Sequence, residues 1–406
     1  MEIVWVTRGF PYPPDAGDRI VIYNWISRLS NRGHDIHLLA SVPEPPNDEE
    51  IEELSRHLSS VECYQNSLGV IGYLKSLSQP LTPFIIQLSK VPQLQQKINK
   101  LVDSRGINAV FIDHTHVSGY SVPEGVKTLL GVHNLEYKWY WNTIKLAFPK
   151  FESIGYAIET ARMAMYEKNL FKKNAYTAYE FVSNAELRWV EDRYPDLSDQ
   201  LEWAPIGVDI ARFDKAEPAE LTQTQPSIVF TGTMTSHLNT DAVKWFSEEI
   251  FPQIKNEVPN SQFIIVGKDP TEEVKQLSEI EDVIVTGGVS QVEPYLVGAD
   301  LVVVPLRGGA GVKVKLLEGL ATGNLVLTTD YGIQGTTVTP GEELLLANES
   351  QEFANLAIEC LKEPEKFKSV RQKGKRYVQK NHAWESVIDR LENRLKDTNT
   401  EGLSER

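Results

Sequence analysis

The strongest constraint is an alternation of short apolar runs with helical stretches, begun at the first residues and restarted halfway along. Residues 2–7 read as a buried strand, 20–31 as a helix with Ile22, Trp25, Ile26 and Leu29 on one face, and 35–41 as a second strand. Two strands joined through a helix must lie parallel, so the N-terminal part is an α/β sheet covered by helices. Further strands are expected at 109–113, 127–133 and 179–183, and helices at 151–173 and 185–194. After a polar stretch, 214–226, read as a linker, the alternation resumes with strands at 227–231, 262–267, 283–286 and 299–306. The expected fold class is therefore α/β with two successive parallel sheets.

At 406 residues the chain has room for two or three domains. Its net charge of −15 argues against nucleic acid as a partner, because phosphate backbones select basic surfaces. No apolar run is long enough to span a bilayer, the N-terminus carries no secretory pattern, and two distant cysteines offer no disulfide framework. A cytoplasmic location is expected, with peripheral membrane contact left open. No Asp-x-Asp, Gly-x-Ser-x-Gly, Walker loop or His-Glu-x-x-His occurs, and neither half opens on Gly-x-Gly-x-x-Gly.

Chemistry-bearing residues collect where strands end. Arg307-Gly-Gly-Ala-Gly-Val-Lys-Val-Lys-Leu-Leu-Glu318 joins an apolar strand to an amphipathic segment closed by Gly323. Gly309, Ala310, Gly311 and Val312 would offer backbone N–H groups to an anion. Lys313 and Lys315 sit at a helix start, where the macrodipole disfavours cations unless an anion binds. A tight turn with solvated lysines is the alternative. Gly17, flanked by Asp18 and Arg19, reads either as a backbone approach to phosphate or sugar or as a proline-stiffened connector. His114 and His116 follow one strand and His133 another, suited to acid–base work or to ligation. No further ligand cluster is visible near the first pair, so no metal is expected. His133-Asn134-Leu-Glu136 brings a base, an amide and a carboxylate together. His34, His37 and His57 read as ordinary surface or turn residues.

Together these residues resemble the retaining glycosyltransferases of family 4. The likeness rests on Pro-Tyr-Pro-Pro-Asp-Ala-Gly17-Asp-Arg, Pro205-Ile-Gly-Val-Asp209, Val285-Thr-Gly287-Gly-Val289 and the Arg307–Gly323 loop. It implies two Rossmann-like domains facing across a cleft (the GT-B arrangement): an acceptor-side domain over 1–205, a nucleotide-sugar domain over 206–382, and a helix and polar tail, 383–406, crossing back. It also implies sugar transfer from a nucleotide-diphosphate donor with retention and without metal or cofactor, in polysaccharide or glycoconjugate biosynthesis. Glu318 would take the ribose hydroxyls, Lys313 and Lys315 the diphosphate, and Gly232 and Gly287 the neighbourhood of the donor. His133 would position the sugar, with Arg19, Asn134 and Glu136 on the acceptor side. The acceptor would be a carbohydrate, a lipid-linked sugar or a small molecule, contacted by segment 67–101 unless that segment simply packs on the sheet. This sequence departs from the family twice. Ala310 stands where the first signature glutamate belongs, and Gly232-Thr-Met-Thr-Ser-His-Leu-Asn239 lacks the usual cation. A same-fold epimerase or phosphorylase, and a non-catalytic scaffold, are the alternatives.

Overall fold

The computed structural model describes residues 1–14, 17–66, 79, 81–147, 153–309 and 311–397. Ala310 and most of 67–80 lie outside that set, so the expectations placed on them have no structural counterpart. The chain divides into two compact units, Met1–Pro205 with Ile388–Arg406, and Ile206–Val387.

The first unit is built on a parallel sheet in the order β3-β2-β1-β4-β5-β6-β7. These strands are β1 Glu2–Arg8, β2 Asp35–Val42, β3 Ser60–Gln65, β4 Ala109–Asp113, β5 Lys127–Val132, β6 Ala178–Phe181 and β7 Leu201–Trp203. All five residues of β4, Ala-Val-Phe-Ile-Asp, are buried, as a strand covered on both faces requires. Helices α1 Gly17–Asn31, α2 Glu136–Ala147 and α3 Ser153–Lys172 belong to this unit. α1 buries Val21, Ile22, Trp25, Ile26 and Leu29, the face read from the periodicity.

The second unit repeats the plan with the order β10-β9-β8-β11-β12-β13. Its strands are β8 Ser227–Thr231, β9 Gln262–Val266, β10 Val283–Gly287, β11 Leu301–Val304, β12 Leu325–Thr328 and β13 Leu345–Leu346. The helices that matter for the site are α4 His237–Trp245 and α5 Val314–Thr322. α6, Trp384–Lys396, begins in this unit and ends in the first, where Glu392 bonds Arg32 at 2.8 Å and His34 at 3.1 Å. Lys396 and Arg32 hold the Glu392 carboxyl down at about 2.

Two expectations are corrected. The stretch read as a linker is docked on the second unit: Ala219 N–H bonds the Pro294 carbonyl at 2.9 Å, Gln262 reaches the Leu221 carbonyl at 2.7 Å, and Thr222 is buried. Its polar groups are spent on satisfying backbone at a sheet end. His34 and His37 are not surface residues. His37 is buried between Ser60 and Glu2, at 2.8 Å from each, and His34 is buried against Glu392.

In open parallel sheets, ligands bind beyond the carboxyl ends of the strands where the order reverses. The first sheet reverses between β1 and β4, the second between β8 and β11. Most candidate residues lie at or beside those two places, whereas Gly287 ends β10 at the edge of the second sheet. No helix among the described residues is long and apolar enough to cross a membrane.

Candidate functional site

In the second unit the loop after β11 uses two glycines with left-handed backbone, Gly309 at φ +102° and Gly311 at +77°, to turn into α5. A side chain at either would be strained, so the turn depends on them. Lys313 is the cap residue of α5 and Lys315 lies in its first turn, as the spacing suggested. Gly323, at φ +80°, closes the helix.

Lys315 points back to β8. Its Nζ donates to Asn239 Oδ1 at 2.7 Å and lies 4.0 Å from the centre of the Phe230 ring. A Cβ on Gly232 would come within 2.5 Å of that Nζ and 2.8 Å of the Asn239 amide nitrogen. The close approach needs a residue without a side chain. The cation absent after β8 in the sequence is therefore supplied there by α5, held by an asparagine from α4. Lys313 Nζ bonds the Gly311 carbonyl at 2.6 Å, inside the same loop. Burial pushes Lys313 down to about 8 and Lys315 to about 7. Two depressed ammonium groups at a helix start form a place where an anion repays a desolvation cost already incurred.

Glu318, half-buried one turn on, has its carboxyl raised by burial and by Glu293, against the opposing pull of Arg212 and Lys315. Arg212 is paired with the buried Glu293. Gly287 ends β10 at φ +71°, and its carbonyl accepts Gly267 N–H at 3.2 Å. Gly232 and Gly287 thus lie at the carboxyl ends of β8 and β10, two strands of one sheet separated by β9, while Arg307 is committed to a two-pronged pair with Asp241. Asn239 escaped the sequence reading, since its partner lies 76 residues along the chain.

In the first unit three imidazoles stack beyond β4 and β5. His116 and His114 lie 4.6 Å apart at 18°, His114 and His133 5.1 Å apart at 9°. His133 Nε2 is 2.6 Å from Asp113 Oδ1. Glu136, at the start of α2, faces His114 Nδ1 at 3.5 Å and His116 Nε2 at 3.3 Å. The first N–H groups of α2, of Glu136 and Tyr137, are taken by Glu167 of α3 at 2.8 and 3.2 Å, which anchors that helix start. Burial raises the Glu167 carboxyl to about 8. Burial and the two neighbouring imidazoles hold His114 well below its ordinary value. Its backbone stands at φ +107°, a conformation rare outside glycine. Arg8, at the end of β1, joins the group through His116 Nδ1.

Glu136 is the third possible ligand that the spacing did not reveal: His114, His116 and Glu136 offer donor atoms within 4.8 Å of one another. The set does not suit a metal. An imidazole binds an ion in its own ring plane, and two stacked rings have no nearby point in common. Arg8 also donates to His116 Nδ1, so a neutral His116 carries its proton on Nε2, the atom facing Glu136. Of the remaining acceptor-side candidates, Gly17 is the first residue of α1, Arg19 lies in its first turn, and Asn134 is half-buried between His133 and Glu136.

Residues 225–363, the core of the second unit, match the glycosyl transferases group 1 family. The chain is 24% identical to an "uncharacterized 44.6 kDa protein in cps region" of Klebsiella pneumoniae, over 96% of this chain and 98% of that one. It is 28% identical to a GDP-mannose-dependent monoacylated alpha-(1-6)-phosphatidylinositol monomannoside mannosyltransferase of Corynebacterium glutamicum, over 48% of this chain and 55% of that one. The Anabaena HepE structure in complex with UDP-glucose matches with a TM-score of 0.58 at 12% identity, covering 97% of this chain and 99% of that one. The architecture is the α/β two-domain fold of GT-B glycosyltransferases. The glycosyltransferase class follows from these matches, and the loop carrying Lys313, Lys315 and Glu318 falls inside the group 1 span.

Proposed function

We propose that this chain moves a sugar from a nucleoside diphosphate donor to an acceptor hydroxyl with retention at the anomeric carbon, in the assembly of a polysaccharide or glycoconjugate. The observation that carries the reading is Lys315 Nζ seated on Gly232 at the reversal point of the second sheet, with Lys313 at the same helix start. In this reading Lys313, Lys315 and the backbone N–H groups of 309–312 hold the diphosphate. Glu318 takes the ribose hydroxyls, and Gly287 lies beside the base. His133 positions the sugar, while Asn134, Glu136 and Arg19 serve the acceptor and Gly17 allows close backbone approach.

The reaction breaks the bond from the anomeric carbon to the diphosphate oxygen and forms one to the acceptor oxygen on the same face. The departing phosphate takes the acceptor's proton. Charge develops on the leaving diphosphate, so fixed cations and oriented N–H groups aimed there lower the barrier. The step as written draws on no organic cofactor, and the lysines fill the place a metal would otherwise hold. The acceptor is a carbohydrate, a lipid-linked sugar or a small molecule. We place the protein in the cytoplasm, with peripheral contact to a membrane where the acceptor is lipid-linked.

A thermal-shift screen against UDP-, GDP-, ADP- and dTDP-sugars, followed by turnover of the stabilising donor, tests this reading. Stabilisation by one nucleotide class and transfer from it are expected; no shift with any of the four would overturn it. With the productive donor, His133→Ala should lower kcat by about 10²-fold while KM moves far less, the signature of a group acting mainly in the transition state. Unchanged kcat would remove His133 from the site.

A further inference from the structure

The buried contact between Asp113 and His133 is more constrained than a chance ion pair. Asp113 ends β4, fully buried, and both carboxylate oxygens are engaged. Oδ2 accepts the Trp5 indole N–H at 2.8 Å, and Oδ1 accepts from His133 Nε2 at 2.6 Å. Trp5 is itself immobilised, stacked on Phe111 at 4.0 Å and 3°. Opposite Asp113 in the β4–β5 ladder stands Gly131, where a Cβ would lie 2.6 Å from Oδ1 and 3.1 Å from the Phe111 ring. The neighbouring strand leaves a slot for that oxygen. The His133 ring is bounded by His114 on one side and by Trp25, 5.9 Å between ring centres, on another.

We propose that Asp113 is the positioning residue of His133, pinning the imidazole with its proton on Nε2 so that Nδ1 is the atom presented to the bound sugar or acceptor. The inference rests on the sugar-transfer reading for its consequence, though not for its geometry. A charged partner also matters. Burial alone would push the imidazolium down, but Asp113, Asp18 of α1 and Glu136 of α2 outweigh it and raise His133 above its ordinary value. Opposing them on the far face are His114, His116 and Arg8. Folded His133 is therefore protonated to a higher pH than a free histidine, and its proton is lost as pH rises through that raised value.

Asp113→Asn makes the test sharp, because Trp5 dictates how the new amide sits. The indole N–H needs an acceptor, so the amide oxygen turns to Trp5 and the NH₂ faces His133. Nε2 must then accept, and the proton moves to Nδ1, the tautomer error known to disable histidine–carboxylate pairs. Nitrogen-15 NMR of the ring should show neutral His133 with its proton on Nε2 in the wild type and on Nδ1 in Asp113→Asn. The His133 titration midpoint should fall by about one pH unit or more with loss of the carboxylate. With an active donor, kcat should drop about 10²-fold and KM by less than about threefold. A tautomer and midpoint unchanged in Asp113→Asn would overturn the proposal. If that variant does not fold, the wild type still decides: a hydrogen-bonded Nε2–H resonance that disappears in His133→Gln supports the proposal, and its absence overturns it. The two readings fail separately. A pinned Nε2–H tautomer with no transfer from any nucleotide sugar would sink only the sugar-transfer reading, whereas transfer with an unpinned ring would sink only this one.

Discussion

Lys315→Met should leave a folded protein with about 10²- to 10³-fold lower kcat/KM for the donor, the scale on which single preorganised charge-stabilising groups act. Methionine keeps the length of the stem and a polarisable contact to the Phe230 ring, so packing at the sheet end survives. What goes is the cation seated between Gly232 and Asn239. The stability change should run the other way. Lys315 titrates near 7 in the fold against 10.5 for a free lysine, so the unfolded chain binds the extra proton throughout the interval. Burying this amine, and giving up its proton as pH rises past 7, therefore costs stability at neutral pH, and the cost shrinks as pH rises toward 10.5. The methionine variant should melt no lower than the wild type. Gly232→Ala offers an independent route to the same loss, since its Cβ meets the flexible end of Lys315 and displaces the cation without removing it. Activity retained in both variants would show that the diphosphate is held elsewhere.

Lys315 shows where sequence reading reached and where it stopped. Its place at a helix start was legible, because glycines before and Gly323 after bound the helix tightly. Its destination was not. Gly232 and Asn239 lie far earlier in the chain, and only the reversal of strand order between β8 and β11 brings them to it. The same limit applies to the first unit. His114, His116 and His133 were visible as strand-end imidazoles, but their stacking on one another and the closure of the group by Glu136 and Arg8 come from neighbouring β1, β4 and β5. Strands buried on both faces, such as β4, announced themselves as unbroken apolar runs. The edge strand β3, Ser-Val-Glu-Cys-Tyr-Gln, is only partly buried and carries a charged residue, so no apolar run marks it. The 214–226 stretch misled because composition reports polarity, whereas the fold spends those polar groups internally.

Donor binding should take up protons. Without donor, Lys313 and Lys315 titrate near 8 and 7, so at pH 8 about one and a half protons are missing from the pair relative to its fully charged form. A bound diphosphate favours both ammonium ions and raises both values, by the ordinary effect of an opposite charge in a poorly solvated site. The diphosphate of a nucleotide sugar has no titration of its own in this range, so the uptake belongs to the protein. Linkage then sets the sign. Affinity is greatest below about pH 7, where both lysines are already charged, and weakens as pH rises because each proton must be recruited on binding. Above about pH 8 the dissociation constant should grow by about tenfold per pH unit for each proton taken up, until the values of the complex are reached. Calorimetric titration at pH 8 in buffers of different ionisation enthalpy counts these protons directly. An uptake of about one to two per donor is expected for the wild type, falling by about one in Lys315→Met. An observed heat independent of buffer would mean that neither lysine changes its proton on binding, and the diphosphate cradle at α5 would have to be abandoned.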